Sequence, residues 1–200
     1  MNTIYKITAL LAILVLVSCN EETDETAVKI IYEEGKEGLD EFKAFSLAPY
    51  GINALIYLPD ETADIGAADE PRVEHEPNGF KWDIYLGQNF HLIIDDWGDE
   101  NMITNHKEEL EDYSFMYKVD FLEETENFLL YTKELTVDGK KDADPNVGIE
   151  HSGYYCYGQH TIDGINFVFR SGDTGSPKLI ADYMAKSILS VEQIKKENIN

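Results

Sequence analysis

Hydrophobic and polar positions change rhythm several times along the chain, and each rhythm predicts an element. Ile52, Ala54, Ile56 and Leu58 alternate with Asn53, Leu55 and Tyr57 up to Pro59-Asp60, the period of two expected of a strand. Residues 60–79 carry Pro71, Pro77 and Asn78-Gly79 and read as a loop. Phe80, Trp82, Ile84 and Leu86 then alternate with Lys81, Asp83 and Tyr85. Gly87-Gln88-Asn89 turns the chain into the apolar run 90–94, which predicts a hairpin. Residues 115–122 and 128–137 predict a second hairpin, and 154–161 with 165–170 a third, closed by the turn dipeptide Asp163-Gly164. A polar stretch, 138–152, separates the last two hairpins.

Two stretches have helical spacing instead. Ile103, His106, Leu110 and Tyr113 recur at every third or fourth position, with Lys107, Glu108, Glu109 and Glu111 on the opposite side. This predicts an amphipathic helix near 101–113, with Asp99 placed to cap it. Ile180, Tyr183, Met184, Ile188 and Val191 form the stripe of a second helix. Ser176 suits its N-cap, Pro177 its first position and Lys195-Lys196 its C-terminal end. Further upstream, residues 28–32 predict a short strand and 38–45 a short helix.

The order is therefore strands, helix, four strands, helix. Each helix has one apolar stripe and the strands alternate, so the expected fold is α+β: a mostly antiparallel sheet of about six to seven strands, with a central helix and a C-terminal helix packed on it. This order of elements over residues 45–191 resembles the PsbP/Mog1 α/β/α sandwich. The resemblance rests on element order without a motif, and it implies an accessory or binding role rather than chemistry. No internal repeat is found.

The N-terminus carries a different kind of information. Residues 7–17 are an uncharged apolar run preceded by Lys6. As a helix this run covers only about 16 Å at ~1.5 Å per residue, against a bilayer core of about 30 Å, so it fits the core of a signal peptide rather than a span. It ends in Leu16-Val17-Ser18-Cys19, which resembles the lipobox of bacterial lipoproteins. The resemblance implies cleavage between Ser18 and Cys19 and lipidation of Cys19, and two or three acyl chains anchor a protein firmly. It divides the chain into a signal peptide, 1–18, an acidic tether, 19–44, and one globular domain, 45–200. Asn20, rather than Asp, follows the Cys, and Glu21-Glu22-Thr23-Asp24-Glu25 looks like an export signal for surface display. The expected location is the outer membrane, at its periplasmic face or on the cell surface.

Charge narrows the choice of partner. The sequence has 39 acidic and 16 basic residues and a formal net charge of −23, which argues against nucleic acid and anionic lipid surfaces. With Cys19 committed to lipid, Cys156 has no partner and the fold must stand on its core, for which 12 Tyr, 9 Phe and 2 Trp are ample.

Candidate chemistry is sparse. Asp142, Asp144 and Asn146 place oxygens at alternate positions of the polar stretch and are candidate calcium ligands, although the spacing is not that of an EF-hand. Asp95-Asp96-Trp97-Gly98-Asp99-Glu100 is a second acidic cluster, at a strand-to-helix junction. His75, His91, His106, His151 and His160 lack the spacing of a zinc site, and His106 sits on an apolar stripe, where it reads as a core residue. Cys156 and His160 share a strand face but stand over 13 Å apart at ~3.3 Å per residue, too far for a nucleophile and its base. Tyr154, Tyr155 and Tyr157 crowd one strand and are candidate binding residues for an envelope protein or a glycan. The reading is an outer-membrane lipoprotein with an accessory or ligand-binding role and without catalysis. The alternatives are an envelope hydrolase using paired carboxylates and a calcium-dependent adhesin.

Overall fold

A computed structural model of the chain describes residues 38–66, 70–136 and 152–195. Within them a seven-stranded and a three-stranded sheet combine with two helices, and every strand pairing is antiparallel. This is the α+β class that the patterning predicts.

The small sheet consists of β1 (Phe42–Ser46), β2 (Ala54–Pro59) and β10 (Glu192–Gln193), in the order β1-β2-β10. A turn of 3-10 helix, Ala48–Tyr50, connects its first two strands. The large sheet contains β3 (Arg72–His75), β4 (Lys81–Leu86), β5 (Phe90–Asp96), β6 (Tyr117–Glu124), β7 (Phe128–Leu135), β8 (Gly153–Ile162) and β9 (Ile165–Ser171). Its order is β3-β4-β5-β9-β8-β7-β6. The meander β6 to β9 thus folds back so that β9 docks on β5 in the middle of the sheet. Asp163 (φ 51°) and Gly164 (φ 85°) both adopt the left-handed region at the β8–β9 turn, as a two-residue hairpin loop requires.

Two helices pack on opposite faces of the large sheet. Helix α2 (Lys178–Leu189) and β2 bury the first face in one continuous core with Trp82, Ile84, Leu92, Ile94, Phe128, Cys156, Phe167 and Phe169. The contact is close: a Cβ on Gly158 of β8 would come within 2.4 Å of Ile188 Cγ2. Only glycine lets α2 approach at this point. Helix α1 (Met102–Asp112) covers the other face and buries just two of its own residues, Ile103 and Leu110, against Leu129, Tyr131, Tyr155, Tyr157 and Val168.

Several local expectations are corrected. Residues 42–45 of the predicted helix 38–45 belong to β1 instead, because pairing with β2 buries Phe42 against Tyr183, with ring centroids 5.4 Å apart. Tertiary pairing overrides weak local preference here. β1 also begins within the range read as the tether. The loop 60–79 contains β3, an edge strand of alternating exposed and half-buried residues that is too polar to register as a strand. Asn101, not Asp99, caps α1, its Oδ1 accepting from Ile103 N at 3.1 Å. Helix α2 starts one residue late, with Pro177 as its cap, because Ser176 is held extended in a two-way backbone bridge with Tyr154. It also ends before Lys195. Ser190 Oγ donates to Ser187 O at 2.6 Å and accepts from Tyr57 N at 2.9 Å, and the chain then leaves the helix to pair with β2 as β10. The strand expected at 28–32 lies outside the described residues. Among the described residues no helix is long and apolar enough to cross a membrane.

Candidate functional site

The topology creates the site. From β5 the chain must reach β6, four strand spacings away at ~4.8 Å each, and α1 carries it there obliquely across β9, β8 and β7. Its start is tied to β8 and β9: Met102 N donates to Gln159 Oε1 at 2.7 Å, and Asn166 Nδ2 donates to Glu100 O at 3.0 Å. Its middle meets β7 and β6 through His106 Nε2, 2.9 Å from Tyr131 Oη, and through the Lys107–Glu124 ion pair at 2.5 Å. A single helix about 10 Å wide cannot cover strands of seven to ten residues. Beside it a cleft of about 600 Å³ is left open on the sheet face.

Tyr131, Tyr155 and Tyr157 line the floor of this cleft. The rings of Tyr131 and Tyr155 stack across β7 and β8 with centroids 5.5 Å apart. His106 lies flat on Tyr157 at 4.0 Å and 8°. Burial pulls the imidazole down to about 4, against the attraction of Glu109, so it is neutral at pH 7. Burial likewise pushes the Tyr155 phenol up to about 12 and that of Tyr157 further in the same direction.

Two cations share the site in different ways. Arg170 is fixed by acids on both sides, with Nε 2.8 Å from Asp95 Oδ2 and a terminal nitrogen 2.8 Å from Asp173 Oδ1. Lys133 is half-buried, and its ammonium rests over the rings of Tyr155 at 4.5 Å and Tyr117 at 4.8 Å. Burial lowers its pKa even though Asp173 and Glu109 pull it upward.

Beyond Arg170 the same face carries a second group of rings and charges. There Arg72 lies over Tyr85, Tyr85 stacks on His91 at 4.3 Å, and His91 Nε2 meets Asp83 Oδ1 at 2.8 Å.

The candidates read from sequence are distributed unevenly. Tyr155 and Tyr157 lie on the cleft floor, whereas the alternation of β8 turns Tyr154 to the other face, where it packs against the α2 core. Cys156 is buried on that face as well. Its Sγ–H donates to Ala181 O at 3.2 Å, and burial pushes the thiol well above its usual range. Each described histidine packs on an aromatic ring: His75 on Trp82, His91 on Tyr85, His106 on Tyr157 and Tyr131, His160 against Phe169. In the acidic cluster at the strand-to-helix junction, Asp95 pairs with Arg170 and Asp96 Oδ1 accepts from Gly98 N at 2.9 Å. Among the described residues no group of three or more His, Cys, Asp or Glu side chains could hold a metal ion. Asp142, Asp144 and Asn146, like Ser18, Cys19 and His151, lie outside the described residues.

Sequence reasoning missed Tyr131, Lys133 and Arg170. Their signal was present: Leu129, Tyr131 and Lys133 share one strand face, and Arg170 interrupts an apolar strand at an inward-facing position.

No family model and no curated protein matches this chain. Among solved structures it is similar to the Saccharomyces cerevisiae Ran-binding protein Mog1p, at 10% identity over 77% of this chain and 96% of that chain, with a TM-score of 0.45. The similarity lies in the course of the backbone, at an identity too low to carry residues across.

Proposed function

We propose that this protein is a lipid-anchored binding module of a bacterial outer membrane and that its ligand occupies the cleft beside α1. The anchor reading rests on the apolar run 7–17 and on Leu16-Val17-Ser18-Cys19. The binding reading rests on one observation: a cleft of about 600 Å³ with a tyrosine floor and charged side chains converging on it. This size and this mixture of ring surface with a few placed polar groups are those of small-molecule sites. The carboxylates in the cleft favour binding over hydrolysis, since Asp95 and Asp173 are both engaged by Arg170 and Glu109 lies 3.5 Å from His106 Nδ1. The net charge of −23 favours a partner other than nucleic acid.

Two measurements test the proposal. Cys19→Ala leaves the chain unprocessed or unanchored on cell fractionation, and membrane retention of a cleaved Cys19→Ala chain rejects the lipid anchor. A panel of small aromatic and sugar-like compounds perturbs the ring signals of Tyr131, Tyr155 and Tyr157 in nuclear magnetic resonance spectra. Compounds that bind without perturbing any of the three place the ligand elsewhere and reject the cleft.

A further inference from the structure

We infer that the cleft selects an organic anion, a compound with an apolar or aromatic body and a carboxylate-like head, whose head pairs with Lys133. The inference rests on the cleft being a ligand site and assigns the chemistry of what it takes.

Basic residues are scarce in this chain, 16 against 39 acids, yet two of them reach this one cleft. They are not equivalent. Arg170 is already charge-paired, held by Asp95 and Asp173. Among the described residues Lys133 has no carboxylate oxygen within 4.0 Å, and its ammonium lies on the faces of Tyr117 and Tyr155. Ring faces attract a cation but supply no lone pair for its N–H groups, so a half-buried ammonium in that position retains hydrogen-bonding capacity. Of the three acids lining the cleft, Asp95 is bound to Arg170, and the side chains of Glu109 and Asp173, at the rim, are 61% and 85% exposed, where water screens them. The lowered pKa of Lys133 agrees with this geometry, since burial outweighs the pull of those two acids.

The rest of the cleft sets the body of the ligand. Next to Lys133 the floor is Tyr131 and Tyr155, stacked 5.5 Å apart, and beyond them His106 is neutral and already bonded to Tyr131. A flat or apolar body covers these groups without competing for the polar contacts they have. An anionic head then gives Lys133 its missing acceptor in surroundings drier than bulk water, where charge-assisted hydrogen bonds are strongest. A cationic head meets Lys133 at the floor instead and is repelled.

Three compounds with one ring system and three heads make the test: indole-3-acetate, indole-3-acetamide and tryptamine. Their binding to the full-length chain, purified from membranes in detergent, is measured by equilibrium dialysis at pH 7 with protein-free micelles as the blank. The expected order is acetate over acetamide by about tenfold, the span of one charge-assisted hydrogen bond, with tryptamine weakest. Lys133→Met abolishes the preference for acetate while acetamide affinity stays within about twofold, and Lys133→Arg keeps it. Equal binding of acetate and acetamide, or tighter binding of tryptamine, overturns the anion assignment and leaves the cleft as a site for another class. No binding of any of the three, with wild-type protein shown to be folded by its melting transition, overturns the anion assignment and counts against the cleft itself.

Discussion

The two faces of the large sheet are built to different standards. On one, α2 and β2 seal a core in which Phe128, Phe169, Ile84, Leu92 and Ile188 are at most 1% exposed, and α2 presses so closely that Gly158 tolerates no side chain. On the other, α1 crosses obliquely, buries Ile103 and Leu110, and leaves rings, charges and a cleft beside it. The difference teaches where each face spends its residues. The α2 face is tightly packed; the α1 face is held by discrete polar ties and gives up packing for access. Stability should therefore respond mainly to the first face and binding to the second.

The largest effect expected is from Phe169→Ala. Truncating a fully buried Phe costs about 3–5 kcal/mol, whereas Leu110→Ala under α1 is expected to cost about 2 kcal/mol or less because the helix can settle. Urea denaturation of the two variants checks the ratio, and equal losses would erase the distinction between the faces. The next effect depends on pH. The imidazole of His106 is held near 4 in the folded protein, against about 6.5 when unfolded. Between these values the unfolded chain binds the proton more readily, so this contribution is complete above about pH 6.5 and is lost as pH falls toward 4. It amounts to about 3 kcal/mol at most. Wild type should lose that much more stability than His106→Gln over the same pH range, and parallel curves would mean that the ring is not buried as described. Gly158→Ala should cost about 2 kcal/mol by forcing α2 outward, a change that a thermal melt detects. The smallest effect tests a polar tie of α1. Gln159→Leu removes the acceptor of Met102 N and should cost about 1 kcal/mol. It should raise amide exchange at 102–104 while the α2 face stays protected.

How much of this was legible in the sequence depends on whether a residue's partner is near it in the chain. The hairpins were legible because their signals are local: alternation in β4 followed by a turn and the apolar run of β5, and Asp163-Gly164 between β8 and β9. The helices were legible from their stripes. β1 and β10 were not, since each exists by pairing with β2, and the β10 pairing links residues as far apart as Ala54 and Gln193. Of the cleft, the period of two gave Tyr155 and Tyr157 a common face but could not say which helix would cover it or how completely. Lys133 and Arg170 acquire their meaning only from the strand order, which sets β7 and β9 on either side of β8. The fate of Ser176 was similarly invisible, because its bridge to Tyr154 is a tertiary event that displaces the cap the local sequence favours.

The pairing of β10 with β2 also bears on how the molecule comes into being. The small sheet and the main core both wait for residues 178–193, since α2 supplies the roof and β10 the last strand. Contacts of such long sequence separation slow folding, because the intervening chain must be ordered before they form. A chain emerging N-terminus first therefore remains without its principal core until nearly all of it is available. If the chain is exported through a membrane in an extended state, as the proposed signal peptide would require, that delay is an advantage: the fold would not close before passage is complete.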